Sequence, residues 1–414
     1  MRRYPWLAGT WIMLLFVAVQ IRAQTPVGAG GTTTAFVDVS VVPMMEEVVV
    51  GGQTVLVRDG TIAAIGPSAD ITVPEDATVI DGTGRFLIPG LSDMHAHVSD
   101  REGNRPQDYL AQGITVVRNM MGNERHLAGR EQVRTGRLPG PHFTTAGAAI
   151  SGARLGSLHR VPADAEEARR LVRDQAAAGY DYVKVYSLLS REIYVATLDE
   201  AAKVGIPVVG HLTDEVPLEM ALELGQTSFE HMYGYFWALE SDASELRGEW
   251  DPRRLFHAVE IDEHKLADVA RMTASAGAWN CPTLWRKSNF LTSPLAEDAW
   301  NDPELRSLGE SNRATLLVAL FNANARLLTG TDDRAEIIHE ELRLFVEAGL
   351  SPYAALRAST VAAAEYLGAL DRFGTIEVGK EANLVLLEGD PLSDIGNTSR
   401  QVGTMMRGLW IPRR

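Results

Sequence analysis

Cysteine is nearly absent from the 414-residue sequence, which contains Cys281 alone. An intrachain disulfide and a metal site built on a cysteine cluster are therefore excluded. Basic residues are also in short supply: 39 Lys and Arg stand against 54 Asp and Glu, for a formal net charge of −15 at pH 7. Proteins that bind nucleic acids need a basic surface for the phosphates, so this class of partner is excluded. With 45% hydrophobic and 22% charged residues, the chain has the composition of a globular protein.

Long hydrophobic runs are missing as well. The apolar run Trp11–Val19 follows Arg2 and Arg3 and is followed by Ala23, and it is too short to span a bilayer as a helix, which needs about 20 residues. A basic start, a short apolar run and a small residue at the cleavage position predict a signal peptide over residues 1–23. An uncleaved anchor is the alternative. We expect an exported protein, periplasmic or secreted, with no stable membrane insertion after cleavage.

The pattern of strands and helices divides the rest of the chain into three parts. Residues 24–88 and 370–414 contain short β-branched runs separated by turns, whereas residues 89–369 alternate short apolar strands with helical stretches. This alternation is typical of a parallel sheet, and about eight units fit the length of a (β/α)₈ TIM barrel. The two ends are too small to form separate cores, so we expect them to join as one small β-sandwich domain. The long stretch 232–279 is a candidate cap over the site.

Two histidines follow the apolar run FLIPGLS, at His95 and His97. Residues two apart in a strand point the same way, so both imidazoles would face one side. Neutral imidazole is a good ligand for zinc and similar divalent ions. The pair alone is also compatible with two polar residues at the end of a strand.

Four more polar residues strengthen the metal interpretation. Lys184 lies inside the apolar strand YDYVKVY, where a cation is costly unless it is paired or modified. His211, His231 and Asp332 each end a predicted strand, which is where barrel enzymes collect their catalytic groups. The spacings fit whole strand–helix units, so we expect all six side chains to meet at one end of the barrel.

Six segments carry a resemblance to a known family: IPGLSDMHAH, VKVY, VVGH, SFEH, GTD and GTIEVGKEANLVLLEGDPLSDI. Through them the chain is similar to the amidohydrolase superfamily, in particular its exported prolidase-like and imidazolonepropionase-related members. The resemblance covers nearly the whole chain from about Thr34. Lys184 departs from the imidazolonepropionase pattern and matches the binuclear branch, whose members act on dipeptides and N-acyl amino acids. Asn119 and Asn383 stand where relatives often have Asp.

The resemblance implies a role for each site residue. His95, His97 and Asp332 would hold one divalent ion, His211 and His231 a second, and Lys184, carboxylated by carbon dioxide, would bridge them. Carboxylation turns a buried cation into an anionic ligand that two cations stabilise. The implied metal is zinc, and the implied reaction is hydrolysis of an amide-like C–N bond in a small molecule by metal-activated water, with Asp332 as general base and acid.

Three other residues receive weaker predictions. Tyr186 shares a strand face with Lys184, so it is either a substrate contact or a packed barrel tyrosine. For Arg118 an ion pair with a neighbouring acid is favoured over binding of a substrate carboxylate. Cys281 is expected to be a core thiol.

Two other functions remain open from the sequence. The same barrel could hydrolyse a lactone or a phosphotriester, since metal-activated water attacks several electrophiles. A catalytically silent binding protein is the other alternative, but it predicts erosion of the ligand set, and all six positions are filled. A homo-oligomer is compatible with the sequence.

Overall fold

The computed structural model describes residues 33–246, 254, 257–285 and 301–413. The predicted signal peptide, residues 1–23, lies outside these residues and stays a prediction. Within the described residues, no helix combines the length and the apolar character needed to cross a membrane.

Strands from both ends of the described chain form one sheet. Its N-terminal strands are β1 (Thr33–Val41), β2 (Val50–Arg58), β3 (Thr61–Pro67), β4 (Thr78–Asp81) and β5 (Phe86–Pro89). Its C-terminal strands are β16 (Leu384–Leu387), β17 (Gln401–Met406) and β18 (Leu409–Pro412). The strand order is β18-β17-β16-β5-β1-β2-β3, with β4 beside β1. The antiparallel pairing of β5 with β16 joins the two ends.

Local chemistry explains the β2–β3 hairpin of this sheet. Asp59 and Gly60 connect the strands with φ angles of 52° and 79°. Two consecutive positive φ angles are typical of the tight hairpin turns that favour Asp-Gly. Phe36, Val55 and Leu386 are fully buried in the core of this sheet, so the alternating apolar side chains stabilise the joined ends.

The middle of the chain contains two parallel sheets. The first has the order β6-β7-β8, with β6 (Leu91–Ala96), β7 (Ile114–Asn119) and β8 (His142–Thr145). The second has the order β10-β9-β11-β12-β13-β14-β15. Its strands are β9 (Ala149–Ile150), β10 (His159–Arg160), β11 (Val183–Val185), β12 (Val208–Gly210), β13 (Ser228–Glu230), β14 (Trp279–Cys281) and β15 (Arg326–Leu327). The predicted α/β class is confirmed.

Backbone hydrogen bonds connect these two sheets along both edges of the three-stranded sheet. The amide of Met94 donates to the carbonyl of Thr329 at 2.9 Å, next to β15, and the amide of Asp181 donates to the carbonyl of Thr145 at 3.0 Å, next to β11. The carboxyl ends of β6 and β15 are therefore neighbours.

Helices separate the strands of the middle region. They are α1 (Pro106–Leu110), α2 (Glu124–Arg134), α3 (Ala165–Ala178), α4 (Arg191–Val204), α5 (Leu218–Glu223), α6 (Tyr235–Leu239), α7 (Glu263–Ala276), α8 (Pro303–Asn322), α9 (Ile338–Glu347), α10 (Pro352–Ser359) and α11 (Val361–Tyr366). Short 3₁₀ helices span Ala335–Ile337 and Ile395–Ser399.

Helix boundaries follow the capping residues in the sequence. The side chain of Asp164 accepts from the amide of Glu167 at the start of α3, and that of Ser190 accepts from the amide of Ile193 at the start of α4. Gly179 ends α3 in the left-handed conformation. These are the usual start and stop signals of helices. The candidate cap, residues 232–279, contains α6 and α7, while residues 247–253, 255 and 256 within it are outside the described part.

Candidate metal centre

Three ligand-type side chains meet at the carboxyl end of β6. The Nε2 atom of His97 lies 2.8 Å from Oδ1 of Asp332, and the Nε2 atom of His95 lies 3.6 Å from the same oxygen. One ligand atom from each of the three residues lies within 4.8 Å of the others. The side chains of His95 and Asp332 are buried, whereas that of His97 is 30% exposed. The group is therefore enclosed on one side and reachable from solvent on the other.

An unusual backbone conformation places two of the site residues. Asp332 lies beyond the end of β15, and its amide donates to the carbonyl of His95 at 2.7 Å. The φ angles of Asp332 and His231 are 50° and 60°, a left-handed conformation that costs about 1–3 kcal/mol in a non-glycine residue and is concentrated at functional sites. Strand alternation would place His231 on the face of Phe229, and the left-handed turn brings it to within 3.5 Å of Asp332 instead.

His211 and His231 lie beside this group. Their ring centroids are 5.0 Å apart, and the ring of His231 is 4.4 Å from that of His95. Gly210, with a φ of 123°, precedes His211, and a Cβ atom there would lie 2.1 Å from the carbonyl oxygen of Val185. Only glycine therefore lets β12 approach β11 closely enough to deliver His211.

Lys184 and Tyr186 complete the arrangement from β11. Lys184 is 1% exposed, and its amino nitrogen lies 5.5 Å from the ring centroid of Tyr186. The Tyr186 ring is 4.2 Å from that of His211. The charge of Lys184 is close enough to contribute to lowering the pKa of His95. The structure thus groups His95, His97 and Asp332 within ligand distance of one another. A series of side-chain contacts extends from Asp332 through His231, His211 and Tyr186 to Lys184.

Three histidines of the site, His95, His211 and His231, share one arrangement: each Nδ1 atom contacts an oxygen from another strand or loop. The pairs are His95 with Glu230 at 2.7 Å, His211 with Ser187 at 2.9 Å, and His231 with Thr283 at 2.5 Å. Histidines that bind metals through one nitrogen usually hydrogen-bond through the other, which fixes the ring.

Sequence reasoning missed these three oxygen partners. Glu230 carried a usable signal, because it shares a strand face with Ser228 and directly precedes His231 in SFEH. Ser187 and Thr283 carried none, since each lies in a loop after its strand.

The chemistry of His95 fits a metal ion. Burial lowers the pKa of His95 well below its ordinary value, with the nearby positive groups acting in the same direction. Its ring is therefore neutral, as a ligand must be. Its Nε2 atom is buried and makes no hydrogen bond within the described residues, although it faces the Asp332 carboxylate and the His231 ring. A buried polar atom left in this state is well suited to a metal ion.

A second set of ligand-type atoms, His95, Glu230 and Cys281, also lies within ligand distance. There Nη2 of Arg118 donates to Glu230 at 2.8 Å, and both side chains are fully buried, which confirms the predicted ion pair. Burial raises the pKa of the Cys281 thiol well above its ordinary value, in agreement with the predicted core thiol. Because the charge of Arg118 balances that of the Glu230 carboxylate and the Cys281 thiol keeps its proton, this set does not fit a cation.

The two departures from the family pattern have structural roles. The side chain of Asn119 accepts from the amide of Val98 and donates to Thr145 and to the carbonyl of Met121. The side chain of Asn383 accepts from the amide of Arg407. Asn119 thus donates protons to two oxygens, which a carboxylate could not do. A carboxylate at position 383 could still accept the bond from Arg407.

Comparison with known proteins gives one family and several relatives. The model of the amidohydrolase family matches residues 86–411, which is most of the chain. An adenine deaminase from Rubrobacter xylanophilus is 26% identical over 392 residues, covering 89% of this chain and 56% of that protein. The chain thus spans little more than half the length of this curated relative.

Solved structures share the fold over nearly the same range. A candidate prolidase from Bifidobacterium longum has a TM-score of 0.73 at 22% identity, covering 92% of this chain and 96% of that chain. A Xaa-Pro dipeptidase with methionine bound in its active site has a TM-score of 0.71 at 18% identity, covering 92% and 100%. At these identities the likeness shows the fold alone.

Proposed function

Because the chain belongs to the amidohydrolase family, we propose that it is a metal-dependent enzyme that hydrolyses C–N bonds. The observation that carries this proposal is the convergence of His95, His97 and Asp332 on one place, with His231 in contact with Asp332 at 3.5 Å. Such a donor set is of the kind that holds catalytic divalent ions.

We further propose that β6, β7, β8, β11, β12, β13, β14 and β15 form a closed (β/α)₈ barrel, with the terminal strands as a β-sandwich beside it. The bonds from Met94 to Thr329 and from Asp181 to Thr145 support closure, since they join the two parallel sheets at both edges. In a barrel the site would lie at the carboxyl ends of the strands, where such enzymes carry out their chemistry.

The donor groups fit two ions. His95, His97 and Asp332 would hold the first, His211 and His231 the second, and Lys184 in its carboxylated form would bridge them. Zinc suits this mixture of imidazole and carboxylate ligands. Two such ions would supply Lewis acidity and increase the acidity of water.

The side chains themselves account for proton transfer and access. The oxygens of Asp332 lie 2.8 Å from His97 and 3.5 Å from His231. A carboxylate in this position accepts a proton from the attacking water and donates it to the leaving amine. The 30% exposure of His97 marks the side from which substrate enters, and we assign Tyr186, packed against His211, to substrate binding.

For the substrate we propose dipeptides or N-acyl amino acids. The structural neighbours named as a candidate prolidase and a Xaa-Pro dipeptidase support this class. The relative named adenine deaminase supports a different C–N bond, so adenine belongs in the same assay panel. Lactones and phosphotriesters complete the panel.

The first experiment measures metal and activity together. Purified protein should contain about two divalent ions per chain, lose activity on chelation and regain it when zinc is added. His95→Ala should lose metal and activity, whereas His142→Ala, a histidine paired with Glu381 at 2.7 Å, should keep the metal. Full turnover by metal-free protein would overturn the proposal, and the substrate panel decides the bond that is cleaved.

A further inference from the structure

Glu230 occupies the centre of a buried network behind the candidate metal centre. Its side chain is fully buried. Its Oε1 atom accepts from Ser228 Oγ at 2.6 Å and from Arg118 Nη2 at 2.8 Å, and its Oε2 atom lies 2.7 Å from Nδ1 of His95. Both carboxylate oxygens are therefore engaged by side chains of the protein.

This network connects three strands that are distant in sequence. His95 belongs to β6, Arg118 to β7, and Ser228 and Glu230 to β13. Arg118 also donates through Nε to the carbonyl of Met94 at 2.5 Å, the residue before His95. The backbone and the ring of His95 are thus held by two groups that are bonded to each other.

The contact with Glu230 determines which nitrogen of His95 is available. A carboxylate oxygen 2.7 Å from Nδ1 requires a proton on that nitrogen, because two acceptors would repel each other. The lone pair of the neutral ring is then on Nε2, which faces Asp332 and His231. Flipping the His95 ring about its Cβ–Cγ bond would break the bond to Glu230 and leave that buried carboxylate with one donor fewer.

Arg118 keeps this contact from being costly. Its guanidinium is fully buried and its central carbon lies 4.9 Å from the Tyr366 ring centroid. A buried carboxylate without such a partner would be strongly destabilising. The pair therefore supplies a charged acceptor to His95 in a place that water does not reach.

We propose that Glu230 is a positioning residue for the metal centre: together with Arg118 it fixes the orientation and tautomer of His95, so that Nε2 serves as a ligand for the first ion. This inference rests on the proposed function, because it requires that the centre bind metal. Glu230 also directly precedes His231, so the same residue connects ligands that we assign to both ions.

The test compares metal affinity in matched carboxylate variants. Glu230→Gln keeps the shape of the side chain and removes the charged acceptor. Glu200→Gln is the control, because Glu200 also forms an ion pair, with Arg173 at 2.9 Å, between helices α3 and α4. Zinc affinity is measured by chelator competition, beside the thermal midpoint of the metal-free protein. We expect Glu230→Gln to bind one of the two ions about 10–100-fold more weakly, and Glu200→Gln to bind both as the wild type does.

A double variant separates positioning from general destabilisation. Glu230→Gln leaves Arg118 buried without its partner, whereas Arg118→Met with Glu230→Gln removes both charges. If the double variant regains stability and still binds the first ion weakly, the positioning role is supported. If it regains wild-type zinc affinity, the role is structural and the inference is overturned.

Two further results distinguish this inference from the proposed function. Wild-type protein that binds two ions, with unchanged affinity in Glu230→Gln, would overturn the inference alone. Wild-type protein that binds no divalent ion would overturn the proposed function and the inference together.

Discussion

Two contacts between histidine and glutamate in this molecule have the same length but different surroundings. His95 lies 2.7 Å from Glu230 at the candidate metal centre, and His142 lies 2.7 Å from Glu381 between β8 and the segment leading to the terminal sheet. The first pair is completely buried, whereas the side chains of the second are 19% and 22% exposed.

The two histidines differ in the other contacts that their rings make. His142 stacks on Phe373 with 4.9 Å between ring centroids, and its Nε2 atom contacts both Glu381 and Asn383. Glu381 in turn accepts from Arg372. At His95 the glutamate holds Nδ1, and Nε2 faces Asp332 and His231. His142, Glu381 and their neighbours contact one another, so this pair stabilises the fold. Glu230 holds one nitrogen of His95, and the other nitrogen is directed towards Asp332 and His231, so this pair prepares a ligand site.

Lys184→Ala should produce the largest effect on metal content and activity. It tests whether the residues around His95 form a metal centre at all. Without the bridging carbamate, metal content should fall from about two ions per chain to one or none. The catalytic efficiency kcat/KM should fall by more than the ~10–100-fold that loss of an outer partner costs. Metal analysis and steady-state kinetics check both, with Lys265→Ala as the control, since Lys265 donates to the carbonyl of Glu240.

Three additional measurements make the Lys184 test specific. Lys184→Arg should fail like alanine, because it keeps a cation and cannot form a carbamate, whereas a short carboxylic acid should partly restore Lys184→Ala. Added bicarbonate should accelerate metal reconstitution of the wild type. Retention of two ions and near-native turnover by Lys184→Ala would disprove the bridge. One ion per chain in the wild type, with near-native turnover of Lys184→Ala, would instead favour a mononuclear site of His95, His97, His231 and Asp332.

The sequence predicted those site residues whose signal is local. His95 and His97 follow from strand periodicity, Lys184 from the cost of a cation in an apolar strand, and His211 and His231 from their position after apolar runs. The structure brings these residues together. The resemblance to the amidohydrolase superfamily added their proposed roles.

What the sequence did not predict depends on long-range contacts and backbone conformation. Thr283 contacts His231 at 2.5 Å from a loop after β14, and no local pattern relates the two. The left-handed φ angles of His231 and Asp332 are imposed by the surrounding structure, because neither residue type requires them. The Glu230–Arg118 pair was predicted only as an unspecified acid beside Arg118.

Glu381→Gln should have the second-largest effect and sharpens the contrast between the two pairs. It removes the charged acceptor of His142 and Arg372. Hydrogen bonds to charged groups contribute about 1.5–3 kcal/mol, so we expect the free energy of unfolding to fall by roughly that amount. Metal content should not change. Chemical denaturation and metal analysis of the same preparation check this, and loss of metal would contradict the distinction between the pairs.

The smallest expected effect is the pH dependence of the Glu381 contribution. The pKa of Glu381 is lowered from 4.5 to about 2, because the hydrogen bonds and charges of His142 and Arg372 outweigh the opposing effect of burial. Between these values the unfolded chain binds more protons at this group than the folded protein, so its stabilising contribution is complete above pH 4.5 and is lost as the pH falls towards about 2.

Comparing wild type with Glu381→Gln isolates this contribution from the other acids. The difference in unfolding free energy should be constant from neutral pH down to about pH 5 and then shrink by at most about 1.4 kcal/mol per pH unit. Solvent reaches the carboxylate, whose side chain is 22% exposed, so screening keeps the slope below that limit. Denaturation series at several pH values give the curve. A difference that grew on acidification would mean that the fold stabilises Glu381 in its protonated form. The contact between His142 and Glu381 would then not be ionic, and the contrast with the pair of His95 and Glu230 would fail.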